Sequence, residues 1–475
     1  MKNFKILTFI FLIAGFNLSS INIFSQIQSF TLEEAIKTAI KNNPETKSSL
    51  LEVKRAQAAV DEAFGYALPT VNLSGSYVHF LEKQKMPFPD FESLLNNMTY
   101  KILEEEKLVQ NPKYLPMKYS LQSFALSNNY EAKIEVNQIL FNSAVFNGIG
   151  ASATYLKTSQ KMLYSNISKT VKSVKESFYG ALLAKEMLKI TEESLENFEK
   201  NLNNVRAMHK QGLASDFNLM QAEVQLENFK PIVINAKNGY KTALDGLKIV
   251  MGIATDTEID LIGDLEIEKL ENYEANQLIE KSLGNNFDIL TLKNKIEVDE
   301  AFIDLDRSEY YPSIVAFGNY SFNGASDNLD FINYRQSLIG LSFQINLFNG
   351  NRTNKKVQQS TIKKMQTEEQ LVALKNAIKL QIRMKVNEIE KVKTTLEAQQ
   401  RNIELATKAF EIANVQLKEG TGTQLELINA EFQLRQSKIN KLQSQYEYLK
   451  AVAELDDLTG NLKQEYYDLA IENNK

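Results

Sequence analysis

The chain nearly repeats itself. "KQGLASDFNLMQAEVQL" occupies residues 210–226 and "KEGTGTQLELINAEFQL" residues 418–434, an offset of 208. Seven of the 17 positions are identical: Lys210 with Lys418, Gly212 with Gly420, Leu219 with Leu427, and Ala222, Glu223, Gln225 and Leu226 with Ala430, Glu431, Gln433 and Leu434. Chance alone gives about one, and a repeat fixes the architecture before any element is assigned. Further echoes cover most of the chain. "NNPETKSSL" (42–50) parallels "NNFDILTL" (285–292), and "ALPTVNLSGSY" (67–77) parallels "YYPSIVAFGNY" (310–320), both at an offset of 243. "QILFN" (138–142) parallels "INLFN" (345–349) at 207, and "LKIVMG" (247–252) parallels "LDDLTG" (455–460) at 208. The offset falls because the first copy carries a longer insert after its first strand. A period this long means a duplicated domain, not a solenoid.

The copies are preceded by a leader. Met1-Lys2-Asn3-Phe4-Lys5, the apolar "ILTFIFLIAGF" and a polar segment read as a secretory signal peptide over 1–25, with cleavage expected at Ser25/Gln26. Its apolar stretch is too short to span a membrane comfortably. The absence of Cys from the sequence excludes disulfides, a thiol nucleophile and a lipid-anchored mature N-terminus. A net charge of −5 gives no reason to expect a nucleic-acid partner. No run of 18 apolar residues comes after the leader. If the mature protein enters a membrane, it does so as a β-barrel.

Each copy opens with helices. Thr31 and Glu34 form a capping box before "LEEAIKTAIKNN", and Pro44 stands where a second helix starts. Strand signals come next. Val315, Phe317, Asn319 and Ser321 alternate with Ile314, Ala316, Gly318, Tyr320 and Phe322. Ile339, Leu341, Phe343, Ile345 and Leu347 face one way, and Gly340, Ser342, Gln344 and Asn346 the other. Such period-two runs suit a strand with one face on lipid and one on a lumen, and also a half-buried strand of a soluble sheet. The first copy places strands at about 70–80 and 131–141, separated by a proline-rich loop at 81–130. The second places them at about 313–323 and 336–348, with a loop of about 12 residues. A long loop on a barrel normally faces outward.

Proline-free helix then runs from Ala144 to Lys210 and from Gly350 to Lys418. Its stripe is heptadic: Ile382, Ile389, Leu396, Ile403, Phe410 and Leu417, echoed by Val174, Ala181, Leu188, Leu195, Leu202 and His209. That spacing implies supercoiled packing along a thin seam. The repeated stretches are the turns: Gly212 and Gly420 end one helix, and Ser215 and Thr423 cap the next. Two copies of two strands give four, too few to close a barrel, and an open edge in lipid leaves backbone groups unsatisfied. Several chains must share one barrel: two give eight strands, three give twelve.

With "LEEAIKTAIKNNPE", "LPTVNLSGSY" and "YPSIVAFGNY", "LFN" before each long helix, and two tips, residues 27–460 resemble the TolC family of outer-membrane efflux proteins. The resemblance implies a mainly α fold with a small β part. Each chain contributes four strands to a shared trimeric, twelve-stranded outer-membrane β-barrel, which a long periplasmic α-helical barrel of coiled-coil hairpins continues. The expected boundaries are 1–25 signal peptide, 26–252 first repeat with its tip at 210–216, 253–274 equatorial connector, 275–460 second repeat with its tip at 418–424, and 461–475 C-terminal tail. The resemblance implies a passive exit duct for efflux or type I secretion, a homotrimer in outer-membrane lipid that meets a periplasmic adaptor protein and an inner-membrane pump. The family's acidic gate maps to Glu426 and, departing from an acid, Asn429. A ring of Glu426 carboxylates would favour cations, although Glu426 also completes a capping box. The adaptor-contact region maps to Lys210, Gly212, Leu213, Ser215, Lys418, Gly420, Thr421, Gly422 and Thr423, residues that turn chemistry alone also explains.

No enzyme, cofactor or metal site is expected. His79 and His209 lie in different elements and have no Cys to join them. "KILEEEK" (101–107) reads as a solvated loop helix, and Pro231 as a kink in a returning helix. The competing reading is a periplasmic coiled-coil scaffold or adhesin with no channel and no lipid-facing band.

Overall fold

The computed structural model describes residues 28–267 and 269–472. The expected signal peptide lies outside the described residues. In chain order the elements are β1 (Gln28–Phe30), α1 (Leu32–Asn42), α2 (Pro44–Gly65), β2 (Thr70–His79), β3 (Met86–Pro89), α3 (Phe91–Glu105), β4 (Tyr119–Gln122) and β5 (Asn128–Asn142). The remainder are α4 (Ser143–Lys210), α5 (Asp216–Met251), β6 (Ile259–Leu261), α6 (Ala275–Asn285), α7 (Phe287–Arg307), β7 (Ser313–Ser326), β8 (Ile332–Gln344), α8 (Arg352–Lys418), α9 (Gln424–Leu458) and α10 (Gln464–Glu472).

The chain forms two compact units, and these cut across the sequence repeats. Of the described residues, one comprises Val53–Ser159 and Leu292–Gln370, and the other the remainder, within 28–52, 160–291 and 371–472. Each repeat supplies part of each unit.

The first unit is built on an antiparallel sheet of four strands in the order β2-β5-β7-β8. Its register sorts the side chains by face, because directly paired residues point the same way. Val71, Leu73 and Tyr77 align with Val136, Ile134 and Tyr130. Tyr130, Ala132 and Ile134 align with Gly324, Phe322 and Tyr320, and Gly318, Ala316 and Ile314 with Ile339, Leu341 and Phe343. The other face carries Asn72, Ser74, Ser76, Glu131, Lys133, Glu135, Asn319, Ser321, Gln336 and Ser342, interrupted by Val315, Phe317 and Leu338. The apolar face is uncovered: Ile339 is 90%, Leu73 78% and Leu341 71% exposed. A soluble sheet buries such a face, so the half-buried alternative fails here.

Two strand ends differ from the sequence reading. Strand β8 begins at Ile332 and stops at Gln344, so Ile345 and Leu347 lie beyond it. Gln344 pairs with Ser313, the first residue of β7, and β7 offers no partner to Ile345 or Leu347. The β7–β8 pairing instead reaches Ala325–Ile332, leaving a turn at 327–331 in place of the 12-residue loop. Gly324 permits that extension: a Cβ there would stand 2.2 Å from the Tyr130 ring, whose hydroxyl donates to Asn333 at 2.6 Å.

The second unit repeats one joint twice. Asn43 Oδ1 accepts from Glu45 N at 2.9 Å, and its Nδ2 donates to Val250 O at 2.9 Å. Asn286 Oδ1 accepts from Ile289 N at 3.0 Å, and its Nδ2 donates to Leu458 O at 3.0 Å. Each asparagine caps a helix and ties it to the last turn of a returning helix. The glycine beyond each tie is left-handed, Gly252 at φ 70° and Gly460 at φ 66°. A Cβ would stand 2.5 Å from Asn42 O at the first and 2.2 Å from Asn285 O at the second. The parallel pair β1–β6 and the helix α10 complete this unit. From α10, Tyr466 Oη donates to Glu33 at 2.8 Å, and the Tyr467 ring stacks on Tyr164 at 3.8 Å.

Gly460→Ala forces both a left-handed alanine and a backbone clash, and is expected to destabilise by about 2–4 kcal/mol. Asn286→Ala removes a cap and a partner for Leu458 O, about 1–3 kcal/mol. Denaturant melts of the detergent-solubilised protein, followed by helical circular dichroism, check both. Unchanged midpoints would show that the joint is not structural.

Candidate functional site

The tips and the helix turns beside them gather the residues singled out by the repeat. Both tips close by one hydrogen-bond pattern. Gly212 and Gly420 adopt φ of 75° and 74°. Gly212 N donates to His209 O at 2.9 Å and Leu213 N to Met208 O at 2.9 Å; Gly420 N donates to Leu417 O at 3.1 Å and Thr421 N to Gln416 O at 2.9 Å. These are Schellman closures, which need the left-handed glycine. Lys210 and Lys418 occupy the last helical positions, where a cation complements the helix dipole. The second tip is the tighter one. Gly422 N also donates to Gln416 O at 3.0 Å, and a Cβ at Gly422 would stand 2.9 Å from Gln416 Cβ. The matching position of the first tip holds Ala214.

Ser215 Oγ accepts from Asn218 N at 3.2 Å and so caps α5. Thr423 does the same for α9 within a full capping box: Glu426 N donates to Thr423 Oγ1 at 3.3 Å, and Glu426 Oε2 accepts from Thr423 N at 2.7 Å and Oγ1 at 3.0 Å. Those bonds hold the Glu426 carboxyl below its ordinary pKa, the bond from the Thr423 backbone leading. Glu426 is exposed, and so is Asn429 three residues on, which places both on one face of α9.

Two features escaped the sequence reading. His209 sits at an apolar heptad position, yet its Nε2 lies 2.7 Å from Asp216 Oδ1, bridging the first tip. The second concerns Glu431, the repeat partner of Glu223. Glu223 pairs with Arg206 at 2.9 Å in the first hairpin. The residue matching Arg206 is Asn414, so Glu431 lacks that arginine. Glu431 is 3% exposed, and its Oε2 has no hydrogen-bond partner. Burial pushes its carboxyl pKa up, against a hydrogen bond from Ser194 and the charge of Arg435. Arg435 Nε stands 3.7 Å from Glu431 Oε1, too far for a hydrogen bond, and its guanidinium lies 4.9 Å from the Phe229 ring centre. The carboxyl borders a cavity of about 100 Å³ lined by Asn197, Asn201, Asn204, Asn414 and Lys418. Nearby, the Gln424 amide is buried with neither polar atom partnered. Only a comparison of the two repeats, Arg206 against Asn414, could have flagged this from sequence.

Beneath the tips, Phe198, Leu202, Val205, Ala222, Leu226 and Phe229 pack the α4–α5 hairpin, and Ile428 of α9 joins them. Leu213, Phe217, Met220 and Val224, spaced four, three and four apart, stay exposed. Among the described residues, no helix is long and apolar enough to cross a membrane, and no group of three or more His, Asp or Glu could hold a metal.

Residues 117–252 and 278–461 match the sequence model of a family described as "Outer membrane efflux protein". Among curated proteins, the chain is 20% identical over 451 residues to the outer membrane protein TolC of Vibrio cholerae, covering 93% of each. It is 19% identical over 353 residues to the alkaline protease secretion protein AprF of Pseudomonas aeruginosa, covering 73% of each. Among solved structures, the Campylobacter jejuni CmeC outer membrane channel superposes with a TM-score of 0.71 at 15% identity, covering 93% of this chain and 89% of that one.

The Glu431 carboxyl has a raised folded-state pKa, so its ionised form opposes folding above that pKa and the penalty is relieved as pH falls through it. Glu431→Gln is therefore expected to leave stability at neutral pH unchanged or higher. Arg435→Ala, which strands the buried charge, is expected to cost about 2–4 kcal/mol there and less in acid. Thermal melts at pH 7.5 and pH 5 separate the cases; a strongly destabilised Glu431→Gln would contradict this account.

Proposed function

This chain belongs to the outer membrane efflux protein family, and from that premise we propose how its two units divide the work. The protein is an outer-membrane channel that extends into the periplasm, the exit duct of a tripartite efflux or secretion system. It is a passive conduit and not an enzyme. The observation that carries the reading is the sheet β2-β5-β7-β8, with one apolar face uncovered, one polar face, and two edges that pair with nothing among the described residues. Lipid accepts the first, water the second, and only other chains can satisfy the edges.

Three copies closing one barrel of twelve strands is the assembly we favour. The exposed Leu213, Phe217, Met220 and Val224 stripe supports it, since a helix with an uncovered seam calls for a neighbour. The tips, from Lys210 to Ser215 and from Lys418 to Thr423, are then the ends offered to a periplasmic adaptor and, through it, to an inner-membrane pump. Exposed Leu213 and the rigid glycine turns suit docking by shape. Glu426 and Asn429, on one exposed face of α9, are the residues we assign to the pore entrance. Beside them on α9, the Gln424 amide and Glu431 Oε2 are buried without a hydrogen-bond partner, which makes this stretch of the helix the one a rearrangement would cost least.

The test is block of single-channel current by multivalent cations. Glu426→Gln is expected to weaken block by about tenfold, equivalent to ~1.4 kcal/mol. The folded-state pKa of Glu426 is lowered, so its charge is present at and above the ordinary carboxylate value and is lost only as pH falls below it. Block should track that charge. Block that is unchanged in Glu426→Gln removes the residue from the entrance.

A further inference from the structure

The insert between β2 and β5 has no counterpart in the second repeat, and it is folded. Its roots are pinned to the β7–β8 turn: Asp327 pairs with Lys83 and accepts from Ser127 N at 2.9 Å and Ser127 Oγ at 2.8 Å. Beyond the roots, β3 and β4 form a short ribbon, and Phe88 packs against Phe91 and Phe124 at 5.5 and 5.2 Å. Asp90 caps α3 by accepting from Ser93 N at 3.2 Å.

Helix α3 faces the wrong way for a self-contained loop. Asn96, Asn97 and Glu104 bond to its own chain, where Leu94 and Leu103 are half-buried. Asn96 Nδ2 donates to Lys113 O at 2.8 Å, Asn97 Nδ2 donates to Leu115 O at 2.8 Å, Asn97 Oδ1 accepts from Leu115 N at 2.7 Å, and Tyr114 bonds Glu104. Its apolar side is turned out. Phe91, Leu95, Met98 and Ile102, at i, i+4, i+7 and i+11, are 48%, 59%, 55% and 57% exposed. A stripe with that spacing is a contact surface.

A second copy of the chain is the occupant that fits. A helix lying on lipid carries Lys and Arg along its polar flank. Here Glu92, Glu104 and Glu105 stand against Lys101 alone, which disfavours an anionic surface. The insert also leaves directly from β2, an edge strand that needs a neighbouring chain, so copies are already adjacent at this end. We infer that the α3 stripes of neighbouring copies pack on one another beyond the end of the barrel, as a contact that joins chains independently of the strands. This rests on the shared-barrel reading given above.

Because the chain has no native cysteine, single cysteines report cleanly. Met98→Cys and Leu95→Cys are placed on the stripe, and Gln110→Cys, exposed and off the helix, is the control. Each variant of the full chain is oxidised in outer membranes and run on non-reducing gels. The stripe variants are expected to shift from the single-chain band to a disulfide-linked dimer, and Gln110→Cys is not. Multi-chain particles without stripe dimers, or with equal dimer from the control, overturn the inference while leaving the barrel reading intact. So does quenching of a fluorophore on Met98→Cys by brominated lipid, which assigns the stripe to membrane. Particles containing one chain overturn both.

Discussion

A β-strand at the edge of a sheet carries unpaired N–H and C=O groups, and hydrocarbon offers them nothing. Among the described residues β2 pairs only with β5 and β8 only with β7. The face that should meet lipid ends at two such edges. The rest of the molecule is shaped by the need to close them without a fifth strand. The described residues do not solve the problem alone, because each repeat supplies two strands to this sheet and there are two repeats. On the assembly proposed above the chain meets copies of itself, and the exposed stripe of Leu213, Phe217, Met220 and Val224 serves that same requirement.

Duplication explains how a small vocabulary builds the scaffold. Asn43 and Asn286 perform one task in two places, and Gly252 and Gly460 make room for the backbone they tie down. Equivalent joints built from equivalent residues give two hairpins of nearly equal length. The differences between the copies are where specialisation sits. The first hairpin keeps Arg206 against Glu223, an ordinary surface ion pair. The second has Asn414 at the matching position and leaves Glu431 buried beside a cavity lined by asparagines together with Phe198, Phe410 and Leu427. The first sheet half carries a folded insert where the second has a turn at 327–331. Symmetry supplies the scaffold, and departures from it supply the buried Glu431 and the insert.

Much of the fold was legible because its signals are local and periodic. Thr31 and Thr423 with their glutamates announce helix starts, and both capping boxes form. Gly212 and Gly420 announce the turns, and both are left-handed. The alternation of Ile339, Leu341 and Phe343 announces a face, and the register puts them on it. Features that were not legible depend on partners distant in sequence. The end of β8 is set by where β7 begins, so Ile345 and Leu347 continued a pattern that had no strand to pair with. The order within 81–127 is held by contacts such as Asn97 with Leu115, which no periodicity encodes. At the tips, the positions of Gly212, Ser215, Thr423 and Glu426 were readable, but the burial of Glu431 was not, because residues of α4 and α8, distant in sequence, surround it.

The central claim is that the sheet is completed by other copies of the chain, and counting chains tests it most directly. The measurement is the mass of the detergent-extracted particle, corrected for bound detergent. Three chains per particle is the expected result and gives a closed barrel of twelve strands. One chain per particle would contradict the account, because four strands would then stand in lipid with both edges open.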